Sequence, residues 1–202
     1  MSTPAYHHGD LRRALLEAAL TLVDEDGIEG LTLREVARRA GVSHNAPYHH
    51  FADKRAIVAG LAEESYGLLR DELAAAARRH DDPLERLRAI GVAYVRFAVR
   101  HPPRFRVMNR PELRSRERVT AVERAGERSE GPLLDAVAAA QAAGALRAGD
   151  PQAIALAAWA TAHGVATLIV DGPLRHRVRS LREAERMTRA AIELLLTGLT
   201  RR

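Results

Sequence analysis

Apolar residues recur every three or four positions through almost the whole chain, and no run alternates as a half-buried strand would. The pattern predicts an all-α protein. A first helix is expected over about Asp10–Asp24, with Leu11, Leu15, Ala18, Ala19, Leu22 and Val23 as its buried stripe and Gly27 as its stop. Thr32 followed by Glu35 reads as a capping box, with Leu31 and Val36 at the hydrophobic staple positions. That second helix should end at Gly41, which tolerates the positive φ of a tight reversal. Ser43 can cap a third, short helix ending near Phe51, with Pro47 close to the end of its first turn. Asp53 caps a fourth helix that reaches about Arg79.

The remainder predicts a second helical set. "DDPLE" supplies a cap, a proline in the first turn and the reaching Glu85, and it opens a helix to about Arg100. "HPPRF" breaks that helix and starts a short one near Pro102. A long helix is expected over about Arg116–Ala143, kinked at Gly131–Pro132. Gly144 and Gly149 bound a loop, "GDPQ" opens a very apolar helix to about Val170, and "SLRE" caps a last helix from Ser180 to about Thr197. The join between the two sets falls inside the long fourth helix.

Composition narrows the chemistry. With no cysteine among 202 residues, disulfides, thiolate metal sites and a cysteine nucleophile are excluded. The N-terminal stretch lacks an apolar signal core, and no segment approaches about 20 uninterrupted apolar residues, so a cytoplasmic protein without a membrane role is expected. Net charge is +5, and its distribution is uneven. Residues 32–55 hold Arg34, Arg38, Arg39, Lys54 and Arg55 against Glu35 and Asp53, and Lys54 is the only lysine in the chain. Local basic charge favours a specific anionic contact over a generally adhesive surface.

The second helix, the turn "GVS" and the third helix make a helix-turn-helix by spacing alone. Leu33, Val36, Ala37, Ala40 and Val42 would form its inner face, leaving His44, Asn45, Ala46, Tyr48 and His49 outward. Asn pairs with adenine, His donates to guanine or phosphate, and Tyr donates to phosphate. Arg34 could reach a base edge or the backbone, and Lys54, in the first turn of the fourth helix, suits a phosphate oxygen. His44, His49 and His50 lack the i, i+4 spacing of helical metal ligands, and no metal or cofactor is expected.

Through "LTLREVARRAGVS" and "APYHHFADKRAIV", residues 9–69 resemble the DNA-binding domain of the TetR family of bacterial transcriptional regulators. The resemblance implies an N-terminal three-helix helix-turn-helix domain, motif about 32–51, joined through a long helix to a C-terminal ligand-binding and dimerisation domain over 80–200. It places Thr32, Arg34, Ser43, His44, Asn45, Ala46, Tyr48, His49 and Lys54 at positions that commonly face DNA, and His50 and Phe51 at supporting ones. Pro47 departs from the apolar residue usual there.

In the second half, "WATAHG", Trp159 to Gly164, and "HPPRFRVM" resemble stretches of the family's WHG-motif subfamily. Trp159 and His163 are four apart and share a helix face. The apolar character of that helix runs around nearly its whole circumference, so burial on more than one side is expected. Tyr94, Phe97, Phe105 and Met108 are expected to cluster from adjacent helices. These six residues are the candidate ligand set, either as pocket lining or as core. Apolar stripes on the last two helices fit pairing with a second copy. The expected function is a homodimeric, non-enzymatic regulator of operator DNA, a repressor released by a small, largely apolar effector. An all-helical enzyme and a helical scaffold without DNA binding are the rival readings. The enzyme reading lacks a nucleophile–base or metal constellation, and the scaffold reading leaves Asn45, Tyr48 and His49 unexplained.

Overall fold

The computed structural model describes residues 8–113 and 120–200. Helices account for the regular structure of the described residues. They are α1 (His8–Gly30), α2 (Leu33–Arg39), a 3-10 turn (Ala46–His49), α3 (Lys54–Ala77), α4 (Pro83–Arg100), α5 (Pro102–Met108), a second 3-10 turn (Pro111–Leu113), α6 (Ala121–Ala142), α7 (Pro151–Val170) and α8 (Leu181–Leu199). The chain divides into two compact units. One takes the chain through Ser65 together with Pro103–Arg124, and the other takes Tyr66–Pro102 and the chain from Ala125 onward. All three divisions fall inside helices, at Ser65/Tyr66 in α3, at Pro102/Pro103 in the first turn of α5 and at Arg124/Ala125 in α6.

Most helix starts follow from side chains that accept otherwise unpaired backbone N–H groups. Thr32, Asp82, Asp150 and Ser180 are the caps of α2, α4, α7 and α8. Asp53 accepts the N–H of Ala56 at 2.7 Å at the start of α3. The expected start of α6 at Arg116 lies outside the described residues. Within them α6 opens with a reciprocal capping box that sequence reading missed. Thr120 Oγ1 accepts from the Glu123 N–H at 3.1 Å, and Glu123 Oε2 accepts from the Thr120 N–H at 2.6 Å. The helix continues as one element through Pro132. The first helix runs beyond its expected end at Asp24, and only at Gly27 (φ 71°) does its backbone depart from helical geometry.

In the first unit Leu15, Leu16, Leu22, Leu31, Val36, Ile57 and Leu61 form the fully buried centre. Phe51 is buried beneath the turn, with the Arg12 guanidinium 5.4 Å above its ring. Gly60 packs closely here, where a Cβ would stand 3.2 Å from Phe51 and 3.3 Å from Leu16. Arg104 of α5 is tied to Glu64 of α3 at 2.7 Å.

In the second unit α4 is central, packed by α7 and α8. Its buried residues run from Leu87 to Ala98 and include Gly91, where α8 comes so close that Ile192 fills the space a Cβ would need. Arg88 binds Glu193 and Arg96 binds Glu185, each at 2.7 Å, tying α4 to α8 along its wetter side. Contrary to the expectation that α7 is buried on more than one side, only a third of its most apolar window is buried within the protein. Leu156 is 60% and Leu168 43% exposed. By length and composition α7 could cross a membrane, with a mean hydropathy of 1.8.

Candidate DNA-reading surface and sensor site

The reading surface starts at the end of α2. Gly41, at φ 67°, turns the chain. Its N–H donates to the Arg38 carbonyl at 3.3 Å, and the Val42 N–H donates to the Ala37 carbonyl at 3.1 Å. That pair of bonds is a Schellman closure, which satisfies the last carbonyls and fixes the exit direction. The chain then enters the reading segment in a different form from the expected α-helix capped by Ser43 and ending at Phe51. It is a 3-10 turn over Ala46–His49, preceded by a turn in which the Ser43 backbone carbonyl accepts from the Ala46 N–H at 3.0 Å. The reason lies in Pro47. An α-helix from Ser43 needs the N–H of residue 47 as donor to that carbonyl, and proline has none. The tighter i to i−3 pattern takes over, with the Tyr48 N–H on the Asn45 carbonyl at 3.2 Å.

Pro47 is buried and pins the segment to the core. Ser43, His44, Asn45 and His49 are exposed, Tyr48 is 57% exposed, and Ala46 is half-buried. A buried proline beneath four polar and one aromatic outward side chains makes a rigid platform for an external partner. The departure from the family pattern at Pro47 thus marks the residue that seats the segment.

The local charge resolves into paired and unpaired groups. Arg38 is held by Glu35, and Arg39 reaches Glu25 of α1 through two hydrogen bonds, one at 2.8 Å. The Arg39 hydrogen bond holds the Glu25 carboxyl below its usual range, and Arg38 does the same for Glu35. Arg34 and Arg55 are exposed, and among the described residues neither has an ion-pair partner. Lys54 is half-buried, and its Nζ donates to the backbone carbonyl of Glu29 in the last turn of α1, at 3.0 Å. An ammonium has three donors, so one such bond positions Lys54 and leaves two for an outside oxygen. Glu29 itself binds Arg110 at 3.1 Å. The part played by Glu29 was invisible in the sequence, since the bond joins positions 25 apart through a main-chain atom. Thr32 is exposed, and its hydroxyl already accepts the Glu35 N–H at 3.1 Å, so its first role is as a cap.

Of the candidate ligand residues, Phe105 and Met108 are buried in the first unit, and Tyr94, Phe97, Trp159 and His163 belong to the second. Within the second unit the structure joins residues that were read separately. The Tyr94 hydroxyl is hydrogen-bonded to His163 Nδ1 at 2.8 Å. The Trp159 and His163 rings are 5.2 Å apart, tilted by 31°. Burial pushes the Tyr94 hydroxyl well above its ordinary pKa, the Trp159 hydrogen bond opposing, and burial pushes His163 below its own. Both groups are therefore neutral near pH 7. Tyr94 is buried, and Trp159 and His163 are half-buried. Phe97 is almost wholly buried and packs against His101, with ring centroids 5.2 Å apart and planes tilted by 54°.

A short helix, a Schellman turn and an outward polar array on a buried scaffold define a helix-turn-helix protein. Comparison with known proteins agrees. Residues 15–61 match the family described as bacterial regulatory proteins, tetR family, and residues 87–193 match the tetracyclin repressor-like C-terminal domain. The second match alone covers more than half of the chain, which belongs to the tetR family. Similar curated proteins include the HTH-type transcriptional regulator BetI of Rhizobium meliloti, 35% identical over 79 residues, or 39% of each chain. The tetracycline repressor protein class C of Escherichia coli is 48% identical over 52 residues, 26% of this chain and 24% of that one. The chain thus matches well under half the length of these relatives. A solved protein of unknown function from Rhodococcus sp. RHA1 is 36% identical with a TM-score of 0.82, covering 98% of this chain and all of that one. FadR of Bacillus subtilis, solved with stearoyl-CoA, shares the fold at a TM-score of 0.77 and 16% identity, over 93% of this chain and 98% of its own.

Proposed function

We infer that the protein is a homodimeric transcriptional repressor, cytoplasmic, which binds a near-palindromic operator and leaves it when a small, largely apolar effector settles beside Trp159 and His163. The observation that carries this reading is the exposed array His44, Asn45, Tyr48 and His49 on a segment seated by buried Pro47, with Arg34 and Lys54 beside it. Two such segments in a dimer would enter successive major grooves about 34–36 Å apart. Asn45 and His44 are assigned to bases. Arg34 is assigned to a base edge or the backbone. Thr32, Ser43, Ala46, Tyr48, His49 and Lys54 are assigned to the backbone or its approach. On the effector side Tyr94, Trp159 and His163 are the contacts and Phe97 a wall, an assignment in keeping with the WHG-motif subfamily.

Selection from a random duplex library tests the first half. Lys54→Ala should weaken all duplexes alike and lower the slope of log affinity against log salt by about 1. Asn45→Ala should relax preference at defined positions, worth about 1–3 kcal/mol for a bidentate contact. Unchanged preference would remove Asn45 from the base contacts. For the second half, a compound that shifts Trp159 emission should release the operator over the same concentration range, and Trp159→Phe should move that dose curve. A destabilised Trp159→Phe protein with an unmoved curve would sink the effector assignment.

A further inference from the structure

The second unit carries an open groove of about 400 Å³ where the last turns of α3, the first turn of α4 and the middle of α6 meet. The volume is in the range of small-molecule sites. Its floor is apolar, made by Ala74, Ala77, Pro132 and Ala136, and its charged groups are Arg78, Arg86 and Asp135. None of these residues is shared with the Tyr94, Trp159 and His163 set, so the groove and the effector reading stand or fall separately.

Arg86 is the unusual member. Of the other α4 arginines, Arg88 and Arg96 have glutamate partners at 2.7 Å, and Arg100 is exposed. Arg86 is half-buried, and among the described residues no carboxylate lies within ion-pair distance of it. Its Nε donates to the main-chain carbonyl of His80 at 2.7 Å. Satisfying that carbonyl needs one N–H of the five a guanidinium carries. The bond also fixes the plane of the group and leaves both terminal nitrogens available. Two parallel N–H donors held in place match the two oxygens of a carboxylate. Arg78, exposed on the rim, adds a second cation without a partner among the described residues. Asp135, also exposed and without a basic partner there, leaves the groove with one net positive charge. A partly desolvated guanidinium without its own anion, beside an apolar floor, calls for a ligand with one acidic end and one apolar body.

We propose that this groove binds an amphipathic organic acid, its carboxylate paired with Arg86 and its apolar body laid on the Ala74, Ala77, Pro132 and Ala136 floor. Titration calorimetry on the full chain with octanoate, octanol and octylammonium tests it. Octanoate should bind saturably, one per chain, and more tightly than either of the others. Arg86→Gln should weaken octanoate by about tenfold or more while leaving octanol unmoved. Arg86→Lys should fall between, since it keeps the charge and loses the fork. Asp135→Asn should tighten octanoate by removing the one like charge. Because Asp135 is exposed, that variant keeps the test decisive even if Arg86→Gln loses its fold. Trp159→Phe should leave octanoate affinity unchanged. The proposal is overturned if octanoate shows no saturable binding or octanol binds as well. It is equally overturned if Asp135→Asn leaves octanoate affinity unchanged or weaker. Loss of octanoate in Trp159→Phe with retention in Arg86→Gln would place the acid beside Trp159 and overturn it too.

Discussion

At the scale of single residues, the Tyr94–His163 hydrogen bond is the feature with the clearest energetic consequence. Tyr94→Phe removes the hydrogen bond to half-buried His163, so the folded state should lose about 1 kcal/mol. Thermal unfolding of the variant measures this, and an unchanged melting temperature would mean that water takes the place of the hydroxyl at no cost. His163 also links stability to pH. Burial holds its folded pKa below the ordinary 6.5, so the unfolded chain takes up a proton at a pH where the folded one does not. Stability then rises with pH wherever the unfolded state binds more protons. The contribution is complete above about 6.5 and is lost as pH falls from there through the lowered folded value. Melting temperature scanned from pH 8 to pH 5 should decline more steeply for the native chain than for His163→Gln. Parallel slopes would take His163 out of the account. The sequence placed Trp159 and His163 on one face, a local fact of helical spacing, but the partner that orients them lies 69 positions from His163, where periodicity carries no information.

Among the elements, α2 separates two roles of one residue. The Thr32 hydroxyl caps the helix and also sits at a position assigned to DNA. Thr32→Ala should cost about 1 kcal/mol of stability through the lost cap. Thr32→Asp keeps a capping oxygen and places a negative charge where phosphates approach, so it should retain the melting temperature and lose operator affinity. If Thr32→Asp bound the operator as well as the native chain, the N-terminus of α2 would not face DNA. Elements of this kind were legible in the sequence, because caps and stops act within a few residues. The Thr32, Asp53 and Asp82 caps and the Gly41 turn are where the pattern put them, though the Glu35 carboxylate expected to complete the Thr32 box is held by Arg38. Two misreadings are also local in origin. The reading segment looked helical because its outward polar residues have helical spacing. The missing N–H of Pro47 tips it to the 3-10 form, a balance that spacing does not measure. The Thr120–Glu123 box went unread because the polar run before it carries no apolar stripe to mark a helix start.

For the whole molecule the open question is what covers α7 and α8. Leu194 on α8 is 78% exposed and Leu156 on α7 is 60% exposed, a degree of exposure that single surface leucines show but a whole apolar helix face rarely does. A bilayer would accept α7 by composition, but α8, packed beside it, carries Arg182, Arg186, Arg189 and Glu193 along its length. Those charges do not belong among acyl chains. A second copy of the same face suits both helices, since an isologous contact needs only one self-complementary patch. The double variant Leu156→Glu with Leu194→Glu should therefore sediment as a monomer and keep its helical content. With only one reading segment per particle, its operator affinity should fall by about 10²–10⁴-fold, the usual gain from linking two binding events. Its affinity for an isolated half-site should stay the same, because residues 32–55 are untouched. A variant that remains dimeric would move the interface elsewhere on the chain. A monomer that binds the full operator as tightly as the native protein would show that each chain reads DNA alone.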